Sequence, residues 1–242
     1  MCWSVEASVA VACIGGAGAV VSLYRNDPPA IWLTIGYFTL MEALQVAGYA
    51  VVDECGTPAN RVVTVASYLH IAFQPVFINA FAMELVPSLV KARVWRWVML
   101  LSSCATAIML FQLVPSDTLG TCTPGTALCG TSFCTVSGDW HIAWNIPYNG
   151  FFVPFEAATG ITFGFPAYMA AAFILPLAYG AWRFVVLHAL AGPILASALT
   201  SNPNEMPAIW CLFSILIVFV GVSLRVRDGV TATTWWGRRI EA

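Results

Sequence analysis

Residues 160–200 read GITFGFPAYMAAAFILPLAYGAWRFVVLHALAGPILASALT, and how many helices they make decides the fold. A helix that crosses a bilayer takes about 20 mostly apolar residues at about 1.5 Å of rise each. Two such lengths stand here, Gly160–Tyr179 and Phe184–Thr200, with only Gly180-Ala181-Trp182-Arg183 between them. Read as two helices, they form a tight hairpin turning at Gly180, with Arg183 at a membrane surface. Read as one helix, the span carries Arg183 through its length. The first reading makes seven spans in the whole chain; the second makes six.

Outside this stretch the spans are plainer. Trp3–Leu23, Ala30–Val51, Val62–Glu84 and Val94–Val114 precede it, and Glu205–Leu224 follows. Turn and charge signals separate them: Arg25-Asn26-Asp27-Pro28-Pro29, then Asp53-Glu54-Cys55-Gly56-Thr57-Pro58, then Pro87 with Lys91 and Arg93. The runs are continuous rather than alternating, which argues against β-barrel strands. Basic residues choose between the two counts. With seven spans and the N-terminus outside, Arg25, Lys91, Arg93, Arg96, Arg183, Arg225, Arg227, Arg238 and Arg239 fall on the cytoplasmic side, and only Arg61 falls outside. That asymmetry follows the positive-inside rule, whereas six spans would put the basic tail outside. The expected fold is therefore all-α, a polytopic transmembrane bundle of seven helices. Its N-terminus is outside, its C-terminus cytoplasmic, and it has a cysteine-rich outer loop. We read residues 1–242 as a single domain, with 116–159 as outer loop and interfacial cap. No cleaved signal peptide is expected, because the only early charge is Glu6.

Composition agrees. Of 242 residues, 60% are hydrophobic and 9% charged, against about a quarter charged in ordinary soluble domains. Mean hydropathy is +0.81. With 10 Lys+Arg against 12 Asp+Glu there is no basic surplus to hold nucleic-acid phosphates. The expected location is the bacterial inner membrane.

Cys2, Cys55, Cys122, Cys129 and Cys134 all fall on the outer side in this topology, and Cys13, Cys104 and Cys211 lie in spans. Disulfides persist in oxidising compartments, so two bonds among Cys55, Cys122, Cys129 and Cys134 are expected. The sequence leaves all three pairings open. A metal site of Cys122, Cys129, Cys134 and His141 is the lesser reading, since no C-x-x-C pair is present. Beyond the loop, Trp140, Trp144 and Tyr148 recur every four residues, which predicts an interfacial segment with these rings on one helical face, continuing through Phe151–Phe155. Pro147 keeps any such helix short. The segment is either an anchor for a cross-linked cap or a lid over a pocket.

Polar groups at membrane depth are costly and are functional candidates by default. Thr39, Glu42, Gln45 and Tyr49 make one helical stripe, and Ser67, His70 and Gln74 another. Counted from the expected helix ends, Glu42 and His70 both lie about 18 Å above the inner surface, so a Glu42–His70 contact is expected to be allowed. Pro75 removes a helix hydrogen bond and exposes the Ile71 carbonyl; broken, polar helix at this depth tends to line a cavity. Glu42, His70, Gln45, Gln74 and Tyr49 are thus the candidate ligand or proton-relay residues. His70, Glu42 and His188 are the metal candidates, and His70 with Met169 a candidate haem pair. Asn79 reads as interhelical glue.

Lys91 is the only lysine and lies in a loop, which removes any retinal linkage of the microbial-rhodopsin kind. Ser67-Tyr68-Leu69-His70 is similar to part of the zinc pattern of ceramidase-like membrane hydrolases, but the late H-x-x-x-H pair is missing. Pro29-Ala30-Ile31-Trp32, Leu69-His70-Ile71-Ala72-Phe73-Gln74-Pro75 and Trp140-His141-Ile142-Ala143-Trp144 resemble segments of an uncharacterised family of bacterial seven-helix membrane proteins. That resemblance implies no activity. No Walker loop, G-x-S-x-G or dinucleotide fingerprint occurs. The expectation is a membrane protein whose intramembrane polar pocket binds or transfers a small ligand or proton. A metal- or haem-assisted enzyme on a lipid-like substrate, and a structural or assembly subunit, are the alternatives. The partners expected are the lipid bilayer, a small hydrophobic ligand and other membrane subunits; no cofactor is specified.

Overall fold

Helix α1 (Val5–Tyr24) starts where the Ser4 hydroxyl accepts from the Ala7 amide, and each helix after it has its own start signal. Pro29 opens α2 (Pro29–Tyr49). Thr57 caps Asn60 N, with Pro58 opening α3 (Pro58–Ala82). Pro87 precedes α4 (Ser88–Gln112). A proline at the first helical position loses no hydrogen bond, because that amide has no intrahelical partner. The computed structural model describes residues 3–160, 165–213 and 215–236. Cys2, Arg238, Arg239 and residues 161–164 at the head of the fifth expected span lie outside them.

A 3₁₀ turn, Met83–Leu85, prolongs α3. After the 113–159 region, which contains β1 (Cys134–Ser137), β2 (Ile142–Asn145) and α5 (Val153–Thr159), come α6 (Pro166–Ala178) and α7 (Trp182–Leu199). The last helices are α8 (Met206–Phe213), α9 (Ile215–Val222) and α10 (Leu224–Val230). Among the described residues, five helices are long and apolar enough to cross a membrane: α1, α2, Pro58–Leu85, α4 and α7. Met206–Val222 makes a sixth if joined to α10, which bends away by 100°. Helix α6 is shorter.

The hairpin at Gly180 is present. Gly180 has φ +95°, in the left-handed region where glycine carries no Cβ penalty. Its amide closes onto Leu177 O, and that of Ala181 onto Pro176 O. The Phe173 and His188 rings stack 4.8 Å apart, whereas 15 residues of continuous helix would separate them by about 22 Å. The chain has doubled back, so the reading of one helix through Arg183 fails.

Hydrogen bonds gather the helix ends into two sets. At one end Asp27 bridges Arg25 and Arg227, Glu84 pairs with Lys91, Arg183 donates to Gly229 O and Ala232 N donates to Leu85 O. At the other end the 113–159 region forms a cap. There Trp3 N donates to Trp140 O, Asp53 N to Thr135 O and Trp144 N to Asn204 O. Asn60 Nδ2 reaches Thr135 O, and Asn149 Nδ2 reaches Phe111 O and Val114 O.

The cap corrects one expectation. Residues 140–148 are not a helical surface segment. β1 and β2 pair antiparallel with Cys134 opposite Asn145 and Ser137 opposite Ile142, and Trp144 and Tyr148 are buried at 1% and 4% exposure. The spacing of four mimicked a helix face, but the turn closed by Gly138 N to His141 O returns the chain as a strand. Of the aromatic side chains in this segment, Phe151 and Phe155, around α5, are the exposed ones among the described residues. The disulfides are Cys55–Cys134, across 79 residues, and Cys122–Cys129, across 7. These bonds occupy the three thiols that the alternative metal site required.

Candidate functional site

Pro75 has no amide hydrogen to give Ile71 O, and the turn of α3 around it carries the polar side chains of the site. His70 Nε2 lies 2.7 Å from Tyr37 O, so Nε2 carries the hydrogen and donates it. The ring stacks on Tyr37 at 4.0 Å, and the Tyr37 hydroxyl donates back to His70 O at 2.5 Å. Nδ1 is then the acceptor for Gln74 Nε2 at 3.5 Å. The same amide nitrogen lies 3.4 Å from Cys211 Sγ on α8, and Gln74 Oε1 accepts the Tyr168 hydroxyl from α6 at 2.6 Å. One glutamine thus joins α3, α6 and α8. A turn and a half further on, Asn79 donates to Pro75 O and Ala171 O and accepts from Tyr179, as glue between α3 and α6.

Gln74, Tyr168 and Cys211 form the polar wall of a cavity of about 350 Å³, within the range of small-molecule sites. Its other walls are apolar apart from the exposed Ser197, with Ile71, Met109, Phe165, Met169 and Trp210 among them, and Ala127 and Leu128 of the cap roof it. Among the described residues no charged side chain lines it. Trp210 is held upright by donating from Nε1 to His188 Nε2 at 3.2 Å, edge-on to Tyr168 at 5.4 Å. Its indole lies against Gly192, where a Cβ would overlap it. Gly192 has φ −98° and ψ −105° inside a π-helical segment, Leu190–Ile194, that also holds Pro193. A second π segment, Ala170–Ile174, lies in α6. Such segments widen a helix locally and recur at functional sites.

The five expected residues are not brought together. Gln74 lines the cavity and His70 stands behind it. Gln45 donates to Ala208 O at 3.0 Å, binding α2 to α8. Tyr49 reaches His141 Nδ1 at 3.2 Å in the cap. Glu42 lines a separate space of about 10 Å³ with Gly15, Thr39 and Val218, and its Oε2 has no partner among the described residues. Glu42 and His70 share no hydrogen bond among the described residues. His70 packs level with Tyr37, five residues before Glu42, an offset of about 7.5 Å along α2. Counting rise from expected ends could not see this, since α3 starts at Pro58, four residues before the expected Val62. The metal candidates His70, Glu42 and His188 do not converge, and no group of three or more His, Cys, Asp or Glu side chains suited to a metal occurs among the described residues. Met169 reaches the cavity, but both His70 nitrogens face partners in the protein.

Beneath the cap, His141 Nδ1 accepts from Ile142 N at 2.7 Å as well as from Tyr49, and burial pushes its pKa down to about 3. Glu205, fully buried, accepts from Trp140 N at 2.5 Å and from His141 N, and from the Thr200 hydroxyl at 2.6 Å. Sequence reasoning passed over Tyr168, Trp210, Cys211 and Glu205. The usable signal was Gly192-Pro193, a break inside an apolar run.

Fold and site define a predominantly helical chain with, among the described residues, five helices long and apolar enough to cross a membrane, a disulfide-bonded cap and a mostly apolar cavity beside Gln74. The chain belongs to DUF5765, a family of unknown function, whose model matches residues 6–231. This agrees with the resemblance of its segments to an uncharacterised family. No curated protein and no solved structure matches it.

Proposed function

We propose that this is a multi-pass protein of the bacterial inner membrane, with seven spans, the N-terminus outside and the C-terminus cytoplasmic, that binds a small, mostly apolar ligand in the cavity beside Gln74. The cavity carries the proposal: about 350 Å³, with no charged side chain among the described residues that line it and its buried polar groups, Gln74, Tyr168 and Cys211, on one wall. Seven spans are supported by the hairpin at Gly180 and by the two sets of helix ends. The orientation is supported by charge and cysteine chemistry. The disulfides sit at the cap end, while Arg25, Lys91, Arg183 and Arg227 sit at the other. Exposed Ile14, Leu40, Leu100, Leu101 and Phe219 would be a large unfavourable apolar surface in water and an ordinary one in lipid. Binding is favoured over proton transfer because Glu42 and His70, the two groups a relay needed, are not joined.

Ala127→Phe tests the cavity, since this cap residue roofs it. Wild-type protein and variant are purified from the same membranes, extracted with organic solvent and compared by mass spectrometry. A lipid-soluble compound retained by the wild type and lost from the variant supports the proposal; the same extract from both overturns it.

A further inference from the structure

We infer that the ligand is an uncharged amphiphile with a single oxygen-bearing head, which enters sideways from the bilayer between α6 and α7 and docks that head on the Gln74 amide. This rests on the ligand-binding reading of the cavity and adds what binds there and by which route.

The head group follows from the state of Gln74. Its carbonyl is held by the Tyr168 hydroxyl at 2.6 Å, which fixes the amide with its nitrogen turned to the other side. That nitrogen has two contacts: one, 3.5 Å to His70 Nδ1, is at the outer limit of hydrogen-bond length, and the other, 3.4 Å to Cys211 Sγ, is of ordinary length for sulfur but goes to a weak acceptor. A carbonyl or hydroxyl oxygen arriving in the cavity is a better acceptor for one of those hydrogens. A carboxylate or phosphate head is disfavoured. It would lose its hydration with no cation among the described lining residues to replace it.

The route follows from what is open. Among the described residues the cap covers the cavity from above with Ala127 and Leu128, both buried, which disfavours entry of a water-borne solute on that side. On α7, Ile194 lines the cavity while 54% exposed, and Ser197 beside it lines the cavity and is exposed. Met169 of α6 is the facing wall. The π segment of α7, which includes Pro193 and Ile194, interrupts the regular α-helical surface at this mouth. A chain lying in the mouth keeps its tail among lipid tails while its head reaches Gln74.

The experiment uses the full chain in phosphatidylcholine–phosphatidylglycerol nanodiscs. The probe is dodecanol with a diazirine on its chain, and adducts are mapped by mass spectrometry. The expected labels fall on peptides holding Met169, Ile194 and Trp210. Dodecanol and 2-dodecanone should compete about tenfold better than dodecane, the worth of one good hydrogen bond, and dodecanoate should compete no better than dodecane. Gln74→Leu should abolish that head preference while labelling persists, and Ile194→Trp should cut cavity labelling severalfold without changing labels on the exposed face of α4. Equal competition by dodecane, or undiminished labelling of Ile194→Trp, overturns the head or the route while the cavity reading stands. If the α4 face is labelled and the cavity peptides are not, the inference and the binding reading fall together.

Discussion

Glu205 is the residue whose removal should loosen the cap most. It is fully buried at the start of α8, and its carboxylate collects the backbone amides of Trp140 and His141 and the hydroxyl of Thr200. The carboxylate therefore ties the β1–β2 turn to the helix that carries Cys211 and Trp210. The effect extends to the roof of the cavity, because Ile146 N, just past β2, donates to Leu128 O at 2.8 Å. In Glu205→Ala three donors lose their acceptor. A buried donor left unsatisfied costs about 1–3 kcal/mol; with Trp140 only half-buried, the sum is about 4 kcal/mol. Glu205→Gln keeps an oxygen that can accept both amides, and its NH2 can donate to the Thr200 hydroxyl oxygen in place of accepting from it, so the loss is chiefly of charge assistance, about 1–2 kcal/mol. For a chain of this size each kcal/mol moves Tm by about 2–4 °C. Thermal unfolding in detergent, followed by tryptophan fluorescence, should thus drop by about 8–16 °C for the alanine and by about half that or less for the glutamine. Reduction of Cys55–Cys134 by dithiothreitol should accelerate in the same order. If Ala and Gln behave alike, or both stay within about 2 °C of wild type, the tether reasoning is wrong.

His141 gives a pH dependence. Its pKa is pushed down to about 3 in the fold by burial against about 6.5 in the unfolded chain, so below 6.5 the unfolded chain takes up a proton that the fold refuses. Stability from this source is complete above about pH 6.5 and is lost progressively as pH falls toward 3; His141→Phe should flatten that part of a Tm–pH curve. Asp27 acts at the opposite end. Arg227 and Arg25 hold its carboxyl well below the usual carboxylate range, so its contribution is lost only in strong acid. Asp27→Asn should cost about 2 kcal/mol and speed proteolysis of residues 224–230. The two disulfides should differ. On loop length alone, removing Cys55–Cys134 across 79 residues costs about 4 kcal/mol and removing Cys122–Cys129 across 7 about 2 kcal/mol, measurable as Tm differences between the two double-serine variants. Gly192→Ala should push Trp210 toward the cavity and reduce photolabelling by the dodecanol probe while the fold persists.

Some of this was legible in the residues alone. Gly180 between two apolar runs is a local signal, because a tight turn between helices favours a residue in the left-handed region, which glycine enters freely. The pool of four bonding cysteines was equally plain, though not its pairing, which depends on how Cys55 after α2 meets β1. The cap strands were misread because Trp140, Trp144 and Tyr148 carry a helical spacing by coincidence, and non-local bonds to Asp53, Asn60 and Asn204 override local periodicity. Glu42 and His70 were placed level by counting rise, but depth depends on where α3 starts and how it leans, and neither is a property of local sequence. Gln74 was legible from its stripe with Ser67 and His70 and from the proline beside it. Tyr168 and Trp210 were not, since an aromatic residue in an apolar helix looks like packing until a hydrogen bond turns it toward a cavity.

The most direct measurement is an electron cryo-microscopy map of the protein purified with its native lipids. The account predicts elongated density in the cavity, with one end within hydrogen-bond distance of Gln74 Nε2 and the other leaving between Met169 and Ile194. A map in which Trp210 fills that space, or in which the cavity holds only water, would contradict it.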